Sequence, residues 1–149
     1  MKRLLSLASL LLLTACAQTT SRTTLIEYLN EPGLEDMNLP FSAAVRVDNL
    51  LFMSGNLGID SKTGKLVPGG IAAETRQTMD NIKAVAERFG SSMDRVVKCT
   101  VFLADMSEWG AMNEVYRTYF TNPPARSALG SSGLALGARV EIECIAVIA

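Results

Sequence analysis

A chain of 149 residues without a single histidine has few ways to move a proton near neutral pH. Serine and cysteine triads built on an imidazole are excluded, and so is the two-histidine zinc helix. Carboxylates, lysine, tyrosine, cysteine and water remain. Two groups stand where such chemistry can be built. Arg126 follows the rigid corner Pro123-Pro124-Ala125, and a planar guanidinium on a fixed backbone suits a carboxylate or a phosphate. A surface ion pair, or a partnership with Glu141, accounts for it equally well. The stretch Val140-Glu141-Ile142-Glu143-Cys144 alternates, so Glu141 and Glu143 share one strand face about 7 Å apart, and Ile145 and Val147 continue that face. A carboxyl group among apolar neighbours suits general acid–base work, with an exposed strand end as the plainer alternative.

Other candidates carry less. Gly58…Gly64-Lys65 has the look of a phosphate loop, but the glycine spacing is one residue too long and Leu66 stands where a magnesium-binding hydroxyl belongs. A glycine-rich turn is the better reading. Asn113 falls in mid-helix beside an aromatic stripe, where a solvated helix residue is the ordinary explanation. Cys99 and Cys144 lie inside apolar runs and read as small buried hydrophobes, a disulfide being the less expected alternative. The three cysteines are one ligand short of an all-thiolate zinc site. With 14 Lys+Arg against 15 Asp+Glu, the surface is weakly acidic, which argues against non-specific nucleic-acid binding. A hydrophobic content of 48% is that of a folded chain, long enough for one domain with a real core.

The first fifteen residues read as a removable leader: a basic start at Lys2-Arg3, an apolar run from Leu4 to Leu13, and a small residue before Cys16. The run is too short to span a membrane, which needs roughly 20 residues. Leu13-Thr14-Ala15-Cys16 resembles the lipobox of bacterial lipoproteins. That resemblance implies a diacylated Cys16 at the mature N-terminus, and Ala17 in place of Asp implies sorting to an outer membrane, facing the periplasm. A soluble periplasmic protein is the alternative. Residues 16–38 are then a tether and N-terminal loop: Ala17 to Thr24 is small and polar, and Leu25 to Leu39 is mostly loop with room for a helical turn at Leu25–Leu29.

The domain proper runs over residues 39–149. Asp48-Asn49 joins two short apolar runs, Ala43–Val47 and Leu50–Met53, as a hairpin. Ala72 to Phe89 repeats apolar residues at helical spacing and ends at Gly90. Val96–Leu103 is a buried strand. Asp105 or Ser107 caps a second helix, whose stripe is Trp109, Met112, Tyr116, Tyr119 and Phe120 and which Pro123-Pro124 ends. Arg126–Gly130 and Val140–Ile148 are the last strands, with a glycine loop between them. The order ββαβαββ predicts an α+β fold, a mostly antiparallel sheet with two helices on one face. Val47, Phe52, Val101 and Val147 imply that the other face is buried too, and a second subunit is the physical cover available.

Several blocks together resemble the RidA/YjgF family of imine and enamine deaminases. They are Asn49-Leu50-Leu51-Phe52-Met53-Ser54-Gly55-Asn56, Thr75-Arg76-Gln77-Thr78-Met79-Asp80-Asn81-Ile82, Val97 to Met106, Met112-Asn113-Glu114-Val115-Tyr116, Pro124-Ala125-Arg126-Ser127-Ala128 and Val140 to Ala146. The resemblance implies a homotrimer of chorismate-mutase-like fold, with three sheets around a central barrel, helices outside and clefts between subunits. It implies hydrolysis of 2-imino acids or their enamine forms, such as 2-aminoacrylate, to 2-keto acids and ammonia, without metal or organic cofactor. By residue, Arg126 grips the substrate carboxylate and Glu141 orients or activates water. Phe41, Ser54 and Gly55 line the pocket, and Asn113 lies near the cleft. Two departures stand out: Phe41 replaces the family's pocket tyrosine and Ala128 replaces its usual cysteine. Together with the leader, they raise the alternative of a non-catalytic trimer that binds small carboxylates. A ribonuclease activity attached to some relatives fits the acidic balance poorly.

Overall fold

The computed structural model describes residues 23–30 and 38–148. Cys16, the leader and much of the tether lie outside the described residues. The strands are β1 (Ile26–Leu29), β2 (Ala44–Val47), β3 (Leu50–Met53), β4 (Asn56–Leu57), β5 (Ile59–Asp60), β6 (Lys65–Leu66), β7 (Val96–Leu103), β8 (Ala125–Gly130) and β9 (Val140–Val147). The helices are α1 (Gly70–Arg88) and α2 (Trp109–Tyr116), the latter tightening into a 3-10 turn over Arg117–Tyr119. One sheet runs β1-β2-β3-β9-β7-β8, with β4 also on β9, and a separate hairpin joins β5 to β6. Among these pairs only β7–β8 is parallel. The predicted α+β order is therefore present, with added short strands.

The Asp48-Asn49 hairpin forms as expected, with Asp48 in the left-handed region at φ 52, which aspartate tolerates better than most residues. The same aspartate corrects the reading of Leu25–Leu29. Leu25 N donates to Asp48 Oδ1 at 3.1 Å and Asp48 N donates to the Leu25 carbonyl at 2.9 Å. These bonds hold Ile26–Leu29 against β2 as an edge strand, where a loop or helical turn was expected. The anchor for β1 stands 23 residues further along the chain, so local propensity carried no sign of it.

Alternation divides the sheet into two faces. Leu51, Met53, Cys99, Val101, Leu103, Val140, Ile142 and Cys144 point to the helices and are buried. Helix α1 meets them with Ile71, Met79, Ile82 and Val85, and α2 with Met112 and Tyr116. Trp109 is 44% exposed, so it leaves the predicted stripe; it is the first residue of α2 and lies at the rim of the core. Val101 likewise belongs to the helix-side core. Phe52, Val47, Ile145 and Val147 stand on the opposite face, and none of the described elements covers them: Phe52 is 40% exposed.

Cys99 and Cys144 sit directly opposite each other on β7 and β9 and form a disulfide, Cα to Cα 4.1 Å. This overturns the expectation of two free buried thiols. Each run predicted a buried small residue, but only the register of the two strands places one cysteine across from the other.

Candidate active site

Arg126 is the second residue of β8, the edge strand beside β7. It pairs with Cys99, so its side chain leaves the sheet on the helix side. There the guanidinium lies over the ring of Tyr116, 4.6 Å from the centroid. Tyr116 ends α2 and is 5% exposed, and Phe120 packs against it with ring centroids 5.0 Å apart. Burial pushes the Tyr116 hydroxyl up to about 12, against a smaller pull from the Arg126 charge, so the ring is a neutral phenol in ordinary solution. Asn113 stands one turn earlier on α2, on the same side of the helix as Tyr116. Among the described residues the ion pairs use other arginines and lysines, and none uses Arg126. The partnership with Glu141 considered from the sequence is absent within the chain.

Glu141 is the second residue of β9 and pairs with Phe102 on one side and Leu57 on the other. It shares the open face with Glu143, Ile145 and Phe52, as the alternation predicted. Space for its carboxylate comes from Gly55. A methyl group on Gly55 would sit 2.0 Å from Glu141 Oε1 and 2.9 Å from Cδ, so any other residue there displaces the carboxylate. The chain reaches this point through a bulge. Phe52 pairs with Ile145 and Asn56 with Ile142, which leaves one extra residue on the β3–β4 side. Bulges of this kind re-aim side chains. Ser54, inside it, donates its hydroxyl to the Ser42 carbonyl at 2.7 Å and its N–H to the Ala43 carbonyl at 3.0 Å. Phe41, next to Ser42, is 58% exposed.

The start of β9 is held from the other side. Arg139 N donates to Glu74 Oε2 at 2.8 Å, and its guanidinium bridges Glu74 on α1 and Glu108. Glu74 is 6% exposed. Gly58 lets α1 come this close, since a side chain there would meet the Glu74 backbone at 2.8 Å. Sequence reading missed Glu74, Arg139 and this use of Gly58. A charge pair 65 residues apart has no local signature.

The predicted site residues therefore fall into two groups. Arg126 and Asn113 are on the helix side, where Tyr116, expected only as a residue of the apolar stripe, joins Arg126. Glu141, Gly55, Ser54 and Phe41 gather around the bulge, with Glu141 on the open face. From Arg126 the register runs to Cys99 and Cys144, and Glu141 lies three residues back along β9. Two strand spacings and three residues put the Cα atoms about 14 Å apart, with side chains on opposite faces. One chain does not unite the two halves. The open face carries a depression of about 330 Å³ lined by Phe52, Lys98, Thr100, Glu143 and Ile145, on the face of the sheet opposite the Arg126 side chain. Among the described residues no group of acids and cysteines is placed to hold a metal ion.

Comparison with known proteins puts this arrangement in context. Residues 35–148 match the family model described as Endoribonuclease L-PSP. A mouse protein named 2-iminobutanoate/2-iminopropanoate deaminase is 46% identical over 109 residues, covering 72% of this chain and 81% of that protein. The crystal structure of RidA from the Antarctic bacterium Psychrobacter superposes with a TM-score of 0.71 at 36% identity, covering 85% of this chain and 99% of that one. TdcF of E. coli, solved with bound serine, gives 0.70 at 29% identity, covering 74% of this chain and 90% of that one.

Proposed function

Because the chain belongs to the RidA/YjgF family, we propose that it hydrolyses 2-imino acids and their enamine tautomers to 2-keto acids and ammonia. The observation that carries this is a guanidinium laid on an aromatic ring with no carboxylate among the described residues paired to it. Such a group is prepared for an anionic ligand. Relatives named for imino-acid deamination, and one solved with an amino acid, point to an α-carboxylate as that ligand.

The chemistry asks little of the protein. Arg126 takes the substrate carboxylate in its fork and so fixes the imine carbon. Glu141 accepts a proton from water as the water oxygen bonds to that carbon and the C=N π electrons move to nitrogen. The carboxyl then returns the proton to nitrogen. In the carbinolamine so formed, Glu141 takes the hydroxyl proton and passes it to the amino nitrogen; the C–N bond breaks with its pair on nitrogen, ammonia leaves, and the oxygen closes the keto C=O bond. Atoms balance as imine plus water giving ketone plus ammonia. Ser54, Gly55, Phe41 and Asn113 shape the cavity.

The separation of the two halves makes a second copy necessary. In a homotrimer the open faces close on one another as a central barrel, and Arg126 of one copy meets Glu141 of its neighbour. The uncovered apolar face favours this assembly, since Phe52, Val47 and Val147 have no cover among the described residues.

Export is a further part of the proposal and rests on residues 1–16: Cys16 is acylated and tethers the domain to the outer membrane from the periplasmic side. The Cys99–Cys144 disulfide favours it, because such bonds persist in oxidising compartments. Mass spectrometry of the native N-terminus decides between an acylated cysteine and an uncut or differently cut chain.

Release of ammonia and keto acid from freshly generated 2-aminoacrylate tests the activity. Turnover above the buffer rate that disappears in Arg126→Ala is expected. A rate equal to buffer, or an Arg126→Ala variant as fast as the wild type, ends the enzymatic reading. The exposed Phe41 ring, which has no hydroxyl, favours a second reading as a carboxylate-binding trimer without turnover. Calorimetric binding of 2-ketobutyrate with no catalysis is its signature.

A further inference from the structure

One buried polar group has no part in the reaction as drawn. The Tyr116 hydroxyl is enclosed by protein and has no hydrogen-bond partner among the described residues. Buried tyrosine hydroxyls nearly always find one, because an unmade hydrogen bond leaves the cost of desolvation uncompensated. Glu108 Oε2 is the other such atom among the described residues, but its carboxylate is bound to Arg139 through the second oxygen. Tyr116 has nothing comparable among the described residues, so within them its hydroxyl ties the fold to nothing. What the residue does offer is its ring. Arg126 lies over it at 4.6 Å, and Phe120 braces it at 5.0 Å. As a neutral phenol it attracts the cation through the face of the ring, with no competing ion pair among the described residues. A guanidinium held by its face keeps its N–H edge free, and that edge is the one a carboxylate takes.

We propose that Tyr116 is a positioning residue for Arg126: its ring seats the guanidinium flat and aims the N–H edge at the substrate carboxylate. The inference rests on the reading of Arg126 as the carboxylate grip and adds the group that sets its orientation. Tyr116 itself touches no reacting atom. Its loss therefore acts through Arg126, weakening carboxylate binding and raising KM more than it lowers kcat.

The test measures the Kd of 2-ketobutyrate and the KM and kcat for 2-aminoacrylate in the full-length protein. Tyr116→Leu weakens Kd about tenfold, the worth of one such contact. Tyr116→Phe keeps the ring, restores Kd to within about threefold, and melts at or above the wild type because the lost hydroxyl made no bond. In an Arg126→Lys background the Leu change has a smaller effect than in the Arg126 protein, since an ammonium keeps the attraction to the ring but has no planar N–H edge to orient. Should Tyr116→Leu fail to fold, pentafluorophenylalanine at position 116 preserves the shape and removes the negative ring face, and it weakens Kd as Leu would. An unchanged Kd in both the Leu and pentafluoro variants overturns the proposal, and so does a Leu effect that persists undiminished in the Arg126→Lys background. If Arg126→Ala loses binding while the Tyr116 variants do not, the seat alone is wrong. If the wild type binds no 2-ketobutyrate, the grip itself is wrong and the seat goes with it.

Discussion

The two halves of the proposed site are held in place by opposite means. Arg126 projects from an edge strand and is fixed by what surrounds it: an aromatic ring beneath, a second ring behind that, and a proline corner at the start of β8. Glu141 projects from an interior strand and is fixed by what has been left out, the side chain of Gly55, together with a clamp on Arg139 one residue before β9. The difference suits the roles proposed for them. A carboxylate grip has to stay put, and attraction to the face of a buried ring holds the guanidinium without neutralising its charge. A carboxyl that exchanges protons must lie where the backbone does not crowd it, and the missing side chain of Gly55 makes room for the carboxylate itself. The disulfide ties β7 to β9, the strands on which both halves are registered.

Substitutions at each half test this contrast. The largest effect belongs to Glu141→Gln, which keeps shape and removes the proton acceptor. Steady-state kinetics is expected to show kcat falling by about 10² to 10⁴ with little change in KM. A KM effect alone would assign Glu141 to binding and dissolve the distinction between the halves. Removing the strand tie comes next. Replacing Cys99 and Cys144 together by Ala opens a cross-link between residues 45 apart and lowers unfolding stability by about 4 kcal/mol in the chain-entropy view. Urea titration of the oxidised wild type against the double variant reads this directly. Equal midpoints would mean that the sheet alone sets the register. Gly55→Ala is expected to reduce kcat about a hundredfold by pushing the Glu141 carboxylate aside, while 2-ketobutyrate still binds at Arg126. Calorimetry beside kinetics separates those two effects. The mildest outcome is a rescue. Mixing inactive Arg126→Ala chains with inactive Glu141→Gln chains, then allowing them to exchange subunits, restores roughly a quarter of the sites if each site takes its halves from neighbouring copies. Mixtures that stay inactive would require both halves to come from one chain, against their placement on opposite faces.

Much of the fold is legible in the residues. The Asp48-Asn49 turn, the apolar periodicity of α1 with Gly90 at its end, and the alternation along β9 each depend on neighbours in sequence, and each element is where these patterns put it. The same alternation placed Glu141 and Glu143 on one face. What stayed hidden depends on distant partners. Ile26–Leu29 becomes a strand only by pairing with β2, with Asp48 bonded at its start. The cysteines bond only because β7 and β9 align them. Trp109 fits a helical stripe by spacing, but the core ends before it.

The site divides along the same line. Residue types exclude imidazole chemistry, and the proline corner and the strand alternation make Arg126 and Glu141 candidates beside plainer readings; the resemblance to the family is what gave them roles. Folding decided that Tyr116 lies beneath Arg126, that Gly55 makes way for Glu141, and that the two halves leave opposite sides of the sheet. Those are matters of distance between residues far apart in the chain, and such distances exist only once packing has chosen one arrangement.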